Sequence, residues 1–222
     1  RLSRVAESRA RGGMRFIDGD RDIRMIVMWS GGIDSTFKLA YLLKETEYQI
    51  HAHHVNIVNH EGRARAERAA CTVLRRKLKA LRAFAYTEST VDHSEHEKIP
   101  FDMAIVAFEA GVVARSGDGR HVEPFTHWTI GTHKAEGHFQ RRFDLYEPMV
   151  NAVCFPGDYP AFEMGKVVTK AEEIAYLEDL GLFGDCWYCR FPRAGRPCVR
   201  CGTCKDVKRA RRTASRRQGG RS

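Results

Sequence analysis

The stretch Met25–Phe37, MIVMWSGGIDSTF, decides how the chain is read. Five apolar residues in a row, Met25–Trp29, suit a strand buried on both faces rather than a half-exposed one. Directly after them come two glycines, two serines and an aspartate within the six residues Ser30–Ser35. A helical-looking segment, STFKLAYLLK, follows. Gly31 and Gly32 permit positive φ and close backbone approach to an anion. Ser30 and Ser35 supply hydroxyls, and the helix that follows offers its first N–H groups. Asp34 is the informative residue. A carboxylate beside a polyphosphate is repulsive unless it caps the helix or helps to order Mg²⁺. Neither G-x-x-x-x-G-K-[ST] nor G-x-G-x-x-G is present, which excludes the two commonest nucleotide loops.

Outward from the loop, strand and helix patterns alternate. Tyr48–Ile57 reads as a second strand, followed by a helix around Arg63–Arg82 with Cys71, Leu74, Leu78 and Leu81 as its apolar stripe. AFAYTES is a third strand. Phe101, Ala104, Ile105, Phe108 and Val112 give the next helix its expected buried face, and Thr126–Thr132 is a fourth strand with Gly131 near its end. TKAEEIAYLEDLG is a helix with a Thr169/Glu172 capping box and a terminating Gly181. This alternation predicts an α/β fold, a doubly wound parallel sheet of the Rossmann type, whose ligands sit beyond the carboxyl ends of the strands.

The expected organisation is an unstructured extension over 1–24 (with Met14 or Met25 as a candidate start), an α/β domain over 25–182, a metal-binding lobe over 183–204 and a basic tail over 205–222. The chain has 222 residues and a net charge of +9; the tail carries eight Lys/Arg against one Asp, so it supplies most of the excess. Such a tail favours polyanions, and its bland reading is a solvated, disordered end. No apolar run is long enough to span a bilayer.

Five of the seven cysteines lie between Cys186 and Cys204. Clustering of this kind reads as metal binding in a reducing, cytoplasmic compartment rather than as disulfide staples. From Cys189 to Cys204 the chain reads CRFPRAGRPCVRCGTC, a C-x8-C-x2-C-x2-C spacing. Four thiolates at Cys189, Cys198, Cys201 and Cys204 with no open position describe a structural Zn²⁺ site, with an iron–sulfur cluster as the chemical rival. Cys186 stands a further C-x2-C step upstream and could replace one ligand. Arg196, Arg200 and Lys205 could offset the anionic charge.

The loop resembles the PP-loop of ATP pyrophosphatases, which activate a carbonyl or carboxyl oxygen with ATP. Loop and cysteines together resemble the 7-cyano-7-deazaguanine synthases of queuosine biosynthesis, over most of Met25–Ala210. TKAEEIAYLEDLG sits where that family has a K-A-E helix, and GRARAERAA resembles its basic stretch running to a glutamate, here Glu67. The family's P-G-R-N is replaced by Pro100, Phe101, Asp102 and Met103, and its Y-P-D-C by the HFQRRFDLYEPM region. The resemblance implies ATP-dependent conversion of 7-carboxy-7-deazaguanine and ammonia to the nitrile. The ATP site would be Ser30, Gly31, Gly32, Asp34, Ser35 and Gly131, with Mg²⁺ and Zn²⁺ as cofactors and Lys170 and Asp34 as catalytic groups. Lys170 begins its helix, where the dipole disfavours a cation by about 0.3–1 kcal/mol, so it wants an anion; a substrate carboxylate or phosphate would serve.

Other residues keep two readings. Arg63, Arg65 and Glu67 fit either the phosphates or ordinary helix surface. His51 and His53 share a strand face opposite His54, as a metal pair or as core histidines. Trp187 and Tyr188 either stack on a purine-like ring or pack the metal lobe onto the domain. Two further functions stand beside the leading one. One is the same ATP chemistry on a tRNA base, DNA base or protein acceptor. The other is a non-enzymatic zinc and nucleic-acid-binding module using the tail. Oligomeric state stays open, a homodimer included.

Overall fold

In the computed structural model the described residues are 23–97, 102–116, 124–134 and 139–219. They form a sheet of five parallel strands in the order β3-β2-β1-β4-β5. The strands are β1 (Arg24–Met28), β2 (Gln49–Val58), β3 (Ala85–Asp92), β4 (His127–Ile130) and β5 (Ala161–Phe162). The helices are α1 (Ile33–Glu45), α2 (Ala64–Lys79), α3 (Asp102–Ser116), α4 (Phe139–Cys154), α5 (Lys170–Asp179) and α6 (Gly202–Gly219). β1 is buried along its whole length, as its uninterrupted apolar run predicts.

Alternation along β1 sorts the core into two layers. Met25, Val27 and Trp29 pack against α1, α2 and α5, through Phe37, Leu74, Ile174 and Leu177 among others. Ile26 and Met28 face the opposite layer, with Ile105 and Ala110 of α3 and Val150 of α4. The sheet is therefore doubly wound. Strand order reverses between β1 and β4, the topological switch point at which α/β sheets open a crevice at their carboxyl edge.

α5 behaves as read from sequence. Thr169 and Glu172 form a reciprocal capping box. At the other end Gly181, at φ 66°, donates to Glu178 O while Leu182 donates to Leu177 O, the two bonds of a Schellman cap.

Other expectations need correction. The tail does not read as a disordered end within the described residues: 202–219 is helix α6, and Cys204, Val207 and Ala214 fall on one buried stripe that anchors it. The extension 1–24 lies outside the described residues except for Ile23 and Arg24, and Arg24 already belongs to β1. Phe101 and Pro100 also lie outside them. Phe108, expected in the core, is 49% exposed, because α3 is sandwiched between the sheet and α4 and buries Ala107, Ala110 and Gly111 instead. Leu81 falls beyond the end of α2 and is 37% exposed. α4 and β5 were not anticipated. Among the described residues no helix is long and apolar enough to cross a membrane.

Candidate functional site

The loop after β1 lies beside the switch point, as its position in sequence requires. Its conformation is held from within. Ser30 Oγ and Ser35 Oγ are 3.0 Å apart, Ser30 N donates to Ser35 Oγ at 3.2 Å, and Gly32 N donates to Ser30 Oγ at 3.3 Å. Gly31 adopts φ 72°, and a Cβ there would meet Cys71 Sγ at 3.0 Å, so glycine is required on both counts. Gly32 is the N-cap of α1 and no side chain caps this helix. Gly32, Asp34 and Ser35 at this uncapped helix start line the crevice, and helix N-termini of this kind are a common setting for anions. Asp34 does not cap the helix, in contrast to one of the two roles expected for it.

Asp34 is instead paired with Lys170, and Lys170 Nζ also lies 3.1 Å from Glu173 Oε2. The anion that meets Lys170 is therefore supplied by the protein itself. His133 Nδ1 is 3.6 Å from Asp34. Burial alone would raise the pKa of Asp34, but Lys170, with Glu173 and His133, holds it below the usual carboxylate range. Burial also dominates at Glu173, which has no exposed surface; with the Asp34 charge beside it, its pKa is pushed up to about 9. For Lys170 the two carboxyl groups overcome burial and raise its pKa. At neutral pH the trio thus carries an ionised Asp34, a charged Lys170 and a protonated Glu173. Glu173 was missed by sequence reasoning. Its signal was available: it precedes Ile174 and falls with Leu177 on the inward face of α5.

Gly131 closes the other side of the switch point. A Cβ at this position would lie 2.1 Å from Ser35 N and 2.4 Å from Asp34 C. The close approach expected of Gly131 is to the first turn of α1 rather than to open space.

A cavity of about 230 Å³ opens beside the loop. Met28, Val55, Ile57, Met103 and Ile130 make its apolar wall, and Ser30, Gly32, Asp34, Ser35 and Gly131 line its loop side. His53 also faces it. Burial, with His51 and His54 nearby, depresses the His53 pKa to about 4, so its imidazole is neutral. His53 is held by Thr87 at 2.8 Å and Ser89 at 3.0 Å, and His51 by Thr87 at 2.7 Å. His54, on the other face, contacts Trp29 O at 3.1 Å. These are buried, hydrogen-bonded histidines, not a metal pair. Cys71 is likewise core, with burial raising its thiol pKa.

The cavity's charged rim comes from three distant segments. Arg63 pairs with Glu61 at 2.8 Å, Glu67 at 3.4 Å and Asp102. Arg190, from the cysteine lobe, reaches Glu61 at 2.6 Å and Asp102 at 3.2 Å. Burial raises the Glu67 carboxyl to about 6, against the pull of Arg63. Of the three residues read together in sequence, Arg63 and Glu67 line this cavity, while Arg65 lines a separate groove beside Arg68 and Glu88. Lys170 does not line the cavity; it is paired with Asp34, which does.

Cys189, Cys198, Cys201 and Cys204 come together, their sulfurs all within 4.8 Å of one another. Backbone N–H groups of Cys198 and Cys201 point at Cys189 Sγ and Cys198 Sγ at 3.1 and 3.3 Å, a pattern suited to thiolates. Cys186 is not among the four. It is buried in the main core and contacts Leu182 O at 3.5 Å. Trp187 joins the lobe to the loop: its backbone N donates to Gly31 O at 2.9 Å and its indole N to Cys189 O at 2.8 Å. Of its two readings the packing one is observed.

No protein-family model matches the chain, and no curated protein matches it. Among solved structures it is similar to the U34-tRNA thiolase NcsA from Methanococcus maripaludis with its 4Fe–4S cluster. The identity is 16% and the TM-score 0.47, covering 90% of this chain and 68% of that one. That is a loose likeness of chain path at low identity.

Proposed function

We propose that the chain is an ATP-dependent enzyme that activates a carboxylate oxygen, and that its substrate is 7-carboxy-7-deazaguanine, converted with ammonia to the 7-cyano compound. One observation carries the ATP half: a self-bonded S-G-G-x-D-S loop and an uncapped helix start flank the switch point of a parallel sheet. The substrate half is supported by the resemblance of the loop and the four-cysteine spacing, and by the apolar cavity beside the loop. That cavity, about 230 Å³, is below the roughly 300–1,000 Å³ of a full ligand site, so it suits one ring system while the phosphates lie over the loop.

A carboxylate is a poor electrophile because its leaving group would be oxide. Its oxygen attacks the α-phosphorus of ATP and pyrophosphate departs. Ammonia then adds to the acyl carbon, and AMP leaves with that oxygen, giving the amide. The amide oxygen attacks a second ATP, pyrophosphate departs again, and loss of AMP and two protons from nitrogen leaves the nitrile. The chain's contribution is to hold the phosphates on the loop N–H and hydroxyl groups, to orient the acceptor and to exclude water with the apolar wall. Lys170 keeps Asp34 ionised and in place. Mg²⁺ commonly binds through one carboxylate and the substrate's own phosphates, and Asp34 fits as that carboxylate. Four sulfurs within 4.8 Å fit one tetrahedral ion, for which about 2.3 Å bonds are usual; a cubane would spread them over four irons. Zn²⁺ there would be structural, tying Arg190 and Trp187 to the site.

The test is to incubate zinc-loaded protein with ATP, Mg²⁺, ammonium and 7-carboxy-7-deazaguanine and follow products by mass spectrometry. Amide and then nitrile, with AMP and pyrophosphate, are expected; neither product from folded protein overturns the substrate assignment. A second reading keeps the ATP chemistry with a nucleic-acid base as acceptor. It is favoured by the absent P-G-R-N and the basic α6, and predicts ATP turnover only when nucleic acid is added.

A further inference from the structure

α6 has an inner stripe, Cys204, Val207 and Ala214, buried against the domain, and an outer face of cations. Two of those cations are engaged by acids: Arg211 with Glu178 at 3.2 Å and Arg209 with Asp206 at 3.6 Å. Lys205, Lys208 and Arg212 have no acid within ion-pair distance among the described residues. Beside Lys208 and Arg212, and one turn along α6 from Lys205, runs a groove of about 590 Å³. Its walls include Phe183, Tyr188 and Val199, with Lys208, Arg211 and Arg212 along the edge. Val199 is 78% exposed, an apolar side chain left open to solvent. The Arg211 guanidinium lies 5.4 Å above the Phe183 ring.

We infer that this groove binds single-stranded nucleic acid, with a base against Tyr188 and Val199 and the flanking phosphates on Lys205, Lys208 and Arg212. Aromatic and apolar walls edged by cations take up an unstacked base and its backbone together, whereas a duplex keeps its base faces hidden. A basic amphipathic helix can also lie on an anionic membrane, but that mode needs an apolar face to insert, and the apolar stripe of α6 is already buried. The inference does not rest on the reading of the loop.

Fluorescence anisotropy with labelled oligo-U, oligo-dT and a duplex of equal length, titrated with the full chain at several salt concentrations, tests it. Expected are tighter binding of the single strands and a steep loss of affinity between about 50 and about 200 mM salt. Replacing Lys205, Lys208 and Arg212 together with alanine lowers the slope of log affinity against log salt by about 2. Tyr188→Ala weakens single-strand binding about tenfold or more, and Tyr188→Phe restores it. Far-ultraviolet circular dichroism and zinc content establish that each variant folds. Absence of wild-type binding, an unchanged slope in the triple variant, indifference to Tyr188→Ala, duplex binding as tight as single-strand binding, or release of the oligonucleotide by phosphatidylserine vesicles would each overturn the inference. Turnover of a free small-molecule substrate is unaffected in the Lys208→Ala/Arg212→Ala double variant, which leaves Lys205 beside Cys204 in place and separates this test from that of the proposed function.

Discussion

Lys170 Nζ stands 3.1 Å from Oε2 of Glu173, one helical turn along α5, while the same ammonium is paired with Asp34 on α1. Burial raises both carboxyl groups, but Lys170, Glu173 and His133 overcome it at Asp34, which stays ionised, whereas the Asp34 charge adds to it at Glu173, which keeps its proton. Because the Glu173 pKa is raised by folding, from 4.5 to about 9, the folded state binds a proton that the unfolded state has lost throughout that window. Stability from this group therefore falls as pH rises from about 5 to about 9. Glu173→Gln retains the neutral hydrogen-bonding shape and removes the proton. The difference in Tm between wild type and Glu173→Gln is expected to drift by roughly 2–4 °C or more across that range, with wild type losing ground at high pH. A pH-independent difference in thermal scans would show that Glu173 is not the group titrating.

If Lys170 works by fixing Asp34, then Asp34→Asn and Lys170→Met lower kcat/KM by at least about tenfold each and are non-additive in the double variant. Steady-state kinetics of ATP consumption read this out. Additive losses would mean that the two act separately.

Gly131→Ala forces a Cβ to within 2.1 Å of the α1 backbone, which cannot yield as a flexible side chain would. The expected cost is about 1–3 kcal/mol or more, together with loss of nucleotide binding as the loop shifts. Gly184→Ala, with nothing within 4 Å of the added atom, is the control and stays within about 0.5 kcal/mol. Chemical denaturation and nucleotide titration of both variants check it.

Elemental analysis of the purified chain is expected to give equimolar zinc, and the ultraviolet–visible spectrum no iron–sulfur absorbance. Cys198→Ser loses the metal; Cys186→Ser keeps it, because Cys186 lies in the core away from the four sulfurs. Chelation frees Trp187 and Arg190 from the loop and rim, so nucleotide affinity falls with zinc content in a stepwise titration. Iron in place of zinc would reverse the assignment of the metal.

Arg190→Ala removes the lobe's hold on Glu61 and Asp102. Its side chain is 38% exposed, so the stability change is small, within about 1 kcal/mol, whereas KM for the acceptor rises because one wall of the cavity loosens. An unchanged KM would confine Arg190 to a surface role.

The strand–loop–helix at Met25–Phe37, the cap pair of α5 and the spacing of four cysteines were legible because each depends on residues close in sequence. Apolar runs select buried strands, Thr169 and Glu172 meet across one turn, and C-x2-C steps bring sulfurs together without help from the rest of the chain. The basic tail was misread for an instructive reason. Its charge suggested disorder, but Cys204, Val207 and Ala214 recur at helical spacing and find a surface to bury against, which composition alone does not reveal.

Sequence by itself therefore determined the α/β alternation, the glycine- and serine-rich loop after the first strand and the set of four clustered cysteines. Only tertiary structure decided what surrounds them: that Lys170 meets Asp34 and a buried Glu173, that Gly131 is needed by the backbone of Asp34 and Ser35, and that Arg63 and Arg190 share Asp102. The physical reason is that these contacts join residues up to more than a hundred positions apart. Their charges, proton positions and clearances exist only once the parallel strands have brought several segments to one edge of the sheet.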